Sequence, residues 1–223
     1  MTRATWLLTL TAAFAVTLSL ADVAATKLVT IGETVMPGGT YLFAAIFIIR
    51  DALHRLAGAQ YVRRLIWAAA IINLGVAAYL YVITRMPAPS FYPHADAWNA
   101  IFAFAPAIVL GSITAAVISQ LVNTGLYQRA SEARWPLWAR SIGSNAISLP
   151  LDGVIFSALA FVVLPPLFGA QPLDLVTAAA QVASGQAAWK AATVALLTPL
   201  LYLVPQPDAL TAASAEKEGG PGA

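Results

Sequence analysis

The sequence predicts an all-α integral membrane protein, a bundle of six transmembrane helices with the N- and C-termini in the cytoplasm. Hydrophobic residues make up 60% of the 223 residues and charged residues only 10%, whereas a soluble domain carries about 25% charged residues. Apolar stretches of about 20 residues, long enough to cross a bilayer core of about 30 Å, recur along the chain. Arginine is concentrated in two of the connections between them, which gives the orientation.

Breaker sequences separate several of the apolar stretches: GETVMPGG at 32–39, MPAPS at 86–90 and GAQP at 169–172. The predicted helices are 5–28, 39–56, 62–84, 98–128, 140–166 and 184–204. We expect one transmembrane domain over residues 1–204. Residues 205–223 are polar and rich in glycine and alanine, so we expect a disordered cytoplasmic tail there.

The first apolar stretch has features of a signal peptide, namely Arg3, an apolar run and the small-residue segment SLADVAA. The run is long for a signal peptide and continues past Asp22 to Ile31. This length favours a retained first helix.

Arginine is distributed unevenly between the two sides of the predicted bundle. The connections between helices two and three and between helices four and five contain Arg50, Arg55, Arg63, Arg64, Arg129, Arg134 and Arg140. The opposite side offers only Lys27 and Arg85. Because cytoplasmic loops carry the excess of basic residues, both Arg-rich connections and both termini are expected in the cytoplasm.

The fifth predicted helix carries a polar stripe, Ser141, Asn145, Ser148 and Asp152, spaced so that all four share one face. Asp152 lies about 18 Å along the helix from the Arg-rich connection, near the middle of the bilayer. An ionised carboxylate there costs about 2.5–3.5 kcal/mol, and Pro150 is expected to kink the helix beside it. The stripe indicates either interhelical hydrogen bonding or a ligand site at a broken helix.

The sixth predicted helix has a second stripe, Gln186, Lys190 and Thr193, with Trp189 beside the lysine. Lys190 could snorkel to the membrane surface. Alternatively, it could contact a substrate or pair with Asp152.

Helices four and one add two more polar sets, Gln120 with Asn123, and Asp22 with Ser19 and Thr26. Each set alone could be ordinary interhelical contact. Together they predict a shared water-filled chamber at mid-depth. A closed arrangement with Asp152 held by Lys190 and no void beside it would contradict that prediction.

Asp51 and Arg55 are spaced for an i,i+4 ion pair at the cytoplasmic end of helix two. Such a pair could be a surface salt bridge of small energy or a latch that holds a gate closed.

Several function classes are excluded or disfavoured. His54 and His94 are the only histidines and there is no cysteine, so we predict no metal site and no cofactor. The sequence has no phosphate-binding glycine loop followed by lysine and no evident nucleophile–base pair, so we predict that it is not an enzyme. The pI near 9.0 does not indicate nucleic acid binding, since the basic residues lie in short connections.

Two blocks, FIIRDALHRLAGAQYVRRLIW and SQLVNTGLYQRASEARWPLWARSIGSNAISLPLDGVIF, resemble the vitamin uptake transporter (VUT) family, also called queuosine precursor transporters. The family motifs correspond here to Asp51, Gly58, Arg63, Arg64, Gln120, Arg140, Ser144, Asn145, Asp152, Phe156 and Lys190. Asn123 occupies a position where many members have Asp, and Asp22 one where Asn is usual. These departures leave the coupling ion and the substrate preference open.

The resemblance implies a secondary transporter that imports 7-cyano-7-deazaguanine or 7-aminomethyl-7-deazaguanine across the inner membrane, by alternating access, for queuosine in tRNA. The substrate-binding residues that we expect are Asp152, Asn145, Gln120, Asn123, Lys190, Phe156, Trp189 and Asp22, with Trp138 as a further aromatic candidate. A carboxylate suits the adjacent N–H and amino groups of a guanine-like edge, and aromatic rings suit its flat face. Gating or structural roles are expected for Asp51, Arg55 and Arg140.

A second interpretation is a substrate-capture subunit of an ATP-energised uptake complex. Docking to such a module would need a cytoplasmic surface of small residues, whereas the connections here are rich in arginine. The sequence leaves open a coupling ion and the pairing of two copies as a homodimer.

Overall fold

The computed structural model describes residues 2–102, 105–168, 174 and 179–204. Its α-helices are α1 (Arg3–Ala25), α2 (Thr40–Arg85), α3 (Ala95–Phe102), α4 (Ala105–Glu132), α5 (Leu137–Ala158) and α6 (Ala180–Leu197). A π-helical turn, Leu159–Val163, extends α5, and 3-10 turns cover Pro165–Phe168 and Thr198–Leu203. The GAQP turn and the tail predicted over 205–223 lie outside the described residues.

Four stretches of the described chain are long and apolar enough to cross a membrane: Arg3–Ala25, Thr40–Arg85, Ala95–Glu132 and Leu137–Val163. Large apolar side chains on these helices face outward, among them Leu8, Ile71 and Val154, which are 73%, 70% and 60% exposed. Soluble monomers rarely expose such continuous apolar surface. The structure therefore confirms a mostly α-helical membrane protein with four candidate membrane-spanning stretches.

Helix α2 consists of two arms that meet at Gly58, whose φ of 80° and ψ of 174° are not helical. Arg3 at the start of α1 donates a hydrogen bond to the Leu56 carbonyl at the end of the first arm (2.9 Å). Gly39, just before the first arm, lies beside Ala21 near the end of α1. The first arm therefore runs antiparallel to α1. The hydroxyls of Thr11 and Tyr61 are 2.6 Å apart, and the second arm follows α1 in parallel. The arms match the helices predicted over 39–56 and 62–84.

A β-hairpin interrupts the all-α pattern between α1 and α2. Strands β1 (Leu28–Ile31) and β2 (Thr34–Pro37) pair antiparallel through a turn at Gly32, whose φ is 61°. The hairpin differs from the prediction, which has a helix to residue 28 and a breaker sequence at 32–39. The hairpin packs on α6, where Gly185 approaches the Val35 carbonyl so closely that a Cβ would collide with it.

The Arg-rich connections meet at one end of the molecule. Arg3, Gly58, Arg140 and Tyr202, from four separate parts of the chain, line one cavity of about 830 Å³ there. The start of α1, the α2 reversal, the α4–α5 connection and the end of the described chain therefore share a side. The β-hairpin lies at the opposite end, because β2 follows the other end of α1.

Candidate functional site

The polar stripe predicted on α5 is buried in the interior. Ser141 and Ser148 are 0% exposed, Asn145 is 1% and Asp152 is 3% exposed. Helix α5 continues through Pro150 between the last two of these residues. Partners from α2, α4 and α6 approach the stripe along its length, so four helices meet at these side chains.

Nearest the Arg-rich end, Asp51 is the centre of the first cluster. Arg50 contacts Oδ1 of Asp51 at 2.5 Å, while Ser141 and Asn145 donate to Oδ2 at 2.5 and 3.3 Å. The predicted Asp51–Arg55 pair is wrong, because the Arg55 guanidinium points away and donates to the Leu201 carbonyl at 2.7 Å.

A layer of amides follows Asp51 toward the middle of the bundle. Nδ2 of Asn123 donates to Oδ1 of Asn145 at 2.5 Å and to the Ser148 hydroxyl at 2.7 Å. Arg50 also reaches Oδ1 of Asn145 at 3.3 Å. Gln120 is buried one turn from Asn123, and its Oε1 has no hydrogen-bond partner among the described residues.

Farther along α5 from the Arg-rich end, Asp152 is ion-paired with Lys190. Oδ2 of Asp152 lies 2.5 Å from Nζ of Lys190, and the Ser119 hydroxyl donates to Oδ1 at 2.9 Å. The ammonium also donates to Oε1 of Gln186 at 2.7 Å. Lys190 is 1% exposed, so the pairing interpretation is confirmed and the snorkelling interpretation is wrong.

The expected shared chamber is absent from the described conformation, because both charges of the pair contact each other. The void beside Gln120, Ser112 and Asn73 is only about 10 Å³. A void of about 430 Å³ between α5 and α6 is lined by Pro150 and Ser157 among others, but not by Asp152 or Lys190. A ligand of the size of a purine would need the pair to separate. The site is therefore closed in this structure.

Aromatic rings surround the ion pair on one side. The Phe156 ring lies 6.4 Å from Phe43 and 5.5 Å from Phe161, between centroids. Nζ of Lys190 is 5.3 Å from the Phe43 centroid, within cation–π distance. Trp189 is half-buried against Tyr41, with centroids 5.6 Å apart.

Two predicted site residues lie apart from the ion pair. Trp138 is 51% exposed, so the structure does not bring it to the polar stripe. Asp22 is buried between α1 and the second arm of α2, where Nδ2 of Asn73 donates to its Oδ2 at 2.6 Å. Ser19 donates to Oδ1 of the same asparagine, also at 2.6 Å. Thr26 bonds only back to the Val23 carbonyl.

The cavity at the Arg-rich end has a basic lining. Arg3 and Arg55 donate to main-chain carbonyls, and Arg140 donates to the Trp135 carbonyl (2.6 Å) and the Ser131 hydroxyl (3.0 Å). His54 and Tyr127 also line it, with ring centroids 4.6 Å apart. Among the described residues, the lining contains three arginines and no carboxylate.

Sequence reasoning missed Arg50, Phe43, Ser119 and Asn73 as members of these clusters. Ser119 had a detectable signal, since it precedes Asn123 by one helical turn. Asn73 was also detectable as a lone amide in the apolar run IINLGV. Arg50 was assigned to a connection, and nothing in the pattern distinguishes Phe43 from a core phenylalanine.

Comparison with known proteins gives a consistent identification. The family model described as "Putative vitamin uptake transporter" matches residues 37–204, about three quarters of the chain. A protein of Bacillus subtilis (strain 168) named "Probable queuosine precursor transporter" is 28% identical over 131 residues, which are 57% of this chain and 57% of that protein. No solved structure matches the chain. The chain belongs to the vitamin uptake transporter family.

Proposed function

We propose that the chain imports a queuosine precursor of the 7-deazaguanine class across the inner membrane, as a secondary transporter with six transmembrane helices. The observation that carries this proposal is the buried Asp152–Lys190 pair, which lies beside the Asn123–Asn145 amides and the Phe43 and Phe156 rings. The name of the B. subtilis relative supports the substrate class.

The chemistry of these groups suits a deazaguanine. Asp152 would accept the ring N–H and the exocyclic amino group side by side, as carboxylates do in bidentate pairs. Lys190, released from Asp152, would donate to the ring carbonyl. The amides of Asn145, Asn123 and Gln120 can both donate and accept, and the face of Phe156 would stack on the base.

Binding would require the substrate to replace each partner of the ion pair. The cost of separating two buried charges is high unless new partners are supplied at once. A deazaguanine supplies donors for Asp152 and an acceptor for Lys190, so it would stabilise an opened state. In this scheme the ion pair keeps the empty carrier closed.

The basic cavity of about 830 Å³ is the proposed cytoplasmic mouth. Between it and the ion pair lie Arg50, Asp51 and Asn145, which are buried and hydrogen-bonded to one another. We propose that this layer is the inner gate. Arg55 and Arg140 would stabilise the cytoplasmic mouth through their hydrogen bonds to neighbouring carbonyl and hydroxyl groups. The second side of the carrier would open between the β-hairpin and α6.

A cell that cannot make the precursor but retains the enzymes that use it tests the function. We expect the wild-type chain to restore queuosine in tRNA at low external precursor, whereas Asp152→Asn and Lys190→Met do not. Equal restoration by both variants at matched membrane expression would reject the site. No restoration by the wild type under any precursor would reject the substrate class.

Reconstitution separates the carrier from the capture subunit. The purified chain alone in liposomes should take up labelled precursor and release it chemically unchanged, as judged by mass spectrometry. Binding without uptake, together with uptake on adding an ATP-driven module, would favour the capture subunit instead.

A further inference from the structure

The buried charges of the described chain do not balance. Three carboxylates, those of Asp22, Asp51 and Asp152, are 3% exposed or less. Two basic side chains, Arg50 and Lys190, are each 1% exposed, and each contacts one of the carboxylates at 2.5 Å. Asp22 is left without a cationic partner among the described residues.

Asp22 also lacks hydrogen bonds for a full negative charge. Its Oδ2 accepts from Nδ2 of Asn73, and the Ser112 hydroxyl lies close enough to the carboxylate to interact with it, but Oδ1 has no hydrogen bond of good geometry in the described part of the chain. An ionised carboxylate in an apolar interior costs several kcal/mol unless it is paired and hydrogen-bonded. The carboxylate therefore requires a positive charge from outside the chain.

Oxygen atoms and small voids lie around this carboxylate. One void of about 10 Å³ is lined by Asp22, Ser19 and Asn73, and a second of about 10 Å³ is lined by Asn73, Ser112 and Gln120. Such a void is about the size of one water molecule or a small ion. The Ser112 hydroxyl lies near the Asp22 carboxylate, and Oε1 of Gln120 is buried without a hydrogen-bond partner in the same described region.

We infer that Asp22 binds one small monovalent cation, H⁺ or Na⁺, and that this cation is the coupling ion of the transport proposed above. The unbalanced charge and the unpartnered Oδ1 support the cation site by themselves. Only the statement that this cation is coupled to transport rests on the proposed function. The site is separate from the Asp152–Lys190 pair, because it is formed by α1 and the second arm of α2, with α4 beside them.

The groups that face Asp22 determine how its protonation would respond to a change of pH. The second arm of α2 presents Asn73 and α4 presents Ser112, which are uncharged. Asp152 is the charged group that acts electrostatically on Asp22, and Lys190 is the ion-pair partner of Asp152. Lys27, on the same side of the bundle as Asp22, is exposed to solvent.

A first test measures the cation directly, without transport. Thermal unfolding of the purified wild-type protein is followed while Na⁺ replaces choline at constant pH, and then while pH rises at constant salt. If Na⁺ binds, it raises Tm; if H⁺ binds, Tm falls as pH rises, because the buried carboxyl loses its proton. Asp22→Asn should show neither response, and Asp96→Asn, which alters an exposed acid of α3, should show the wild-type response. A wild type that responds to neither cation, or an Asp22→Asn variant that responds like it, would overturn the inference.

A second test separates coupling from substrate binding. In liposomes, Asp22→Asn should lose gradient-driven accumulation of labelled precursor, and cation binding should raise precursor affinity by about 5- to 150-fold only in the wild type. Normal accumulation by Asp22→Asn would overturn the coupling. If the wild type neither binds nor exchanges the precursor, the proposed substrate fails, while the Tm responses still decide the cation site.

Discussion

Nζ of Lys190 on α6 lies 2.5 Å from Oδ2 of Asp152 on α5, and both side chains are buried. Ser119 and Gln186 complete the hydrogen bonding of the pair. Removing one partner of a buried pair leaves an uncompensated charge and costs about 3–5 kcal/mol, whereas replacing both is often nearly neutral. Single and double variants of this pair can therefore separate its effect on stability from its effect on transport.

Asp152→Asn and Lys190→Met should each lower the free energy of unfolding by about 3–5 kcal/mol. The double variant should recover most of this loss, since no buried charge is then left alone. None of the three should transport precursor. Thermal unfolding in detergent and uptake in liposomes measure the two effects. Full activity in the double variant would show that the pair is structural only.

The corrected partner of Asp51 can be tested with two matched arginine variants. Arg50→Met removes the cation that contacts Asp51 at 2.5 Å and should cost about 3–5 kcal/mol of stability. Arg55→Met removes a single hydrogen bond to a main-chain carbonyl and should cost about 1.5–3 kcal/mol or less. A larger loss of stability with Arg55→Met would contradict the observed pairing.

Asn123→Leu should weaken both the fold and substrate binding. The variant removes the donor to Asn145 and Ser148. Oδ1 of Asn145 keeps Arg50 as a donor at 3.3 Å, whereas the Ser148 hydroxyl loses its donor, and a buried acceptor left unpaired costs about 1–3 kcal/mol. We expect a lower Tm and, from the proposed site, at least about a tenfold loss of precursor affinity, which is about 1.4 kcal/mol. Thr114→Val is the control on the same helix, because Thr114 is exposed and bonds only to the Leu110 carbonyl. Unchanged affinity in Asn123→Leu would remove this amide from the site.

The contact between the β-hairpin and α6 can be tested with a pair of glycine variants. Gly185→Ala places a Cβ against the Val35 carbonyl, whereas nothing lies within 4 Å of a Cβ at Gly125 on α4. Gly185→Ala should therefore lower Tm. Gly125→Ala should leave it unchanged or raise it, because alanine is favoured over glycine in a helix by about 1 kcal/mol. Equal effects of the two substitutions would contradict the close approach.

The sequence predicted the mostly α-helical membrane class, because apolar length and breaker residues depend on local composition. It located the two arms of α2 without showing that only Gly58 separates them, since a positive φ leaves no clear trace in composition. The hairpin at 28–37 was missed because its strands are four residues each, β1 continues the apolar run of α1, and β2 lies within the breaker sequence at 32–39. Its pairing depends on packing against α6, which is remote in sequence.

The polar stripe on α5 was predicted because helical spacing alone places Ser141, Asn145 and Asp152 on one face. The partners of these residues were harder to predict. Asp51 has Arg50 beside it and Arg55 one turn away, and helical periodicity favours the wrong one. The choice between a chamber and a closed pair depends on how α5 and α6 pack, which one sequence does not specify.

The reversal at Gly58 bears on how the protein is made. A single non-helical residue joins the two arms of α2, so no flexible loop would let one arm enter the bilayer long before the other. We expect the arms to leave the translocon together, as a ready-formed pair of helices. In ribosome-bound chains of increasing length, the two arms should then enter the membrane together, and only once the chain extends past Arg85.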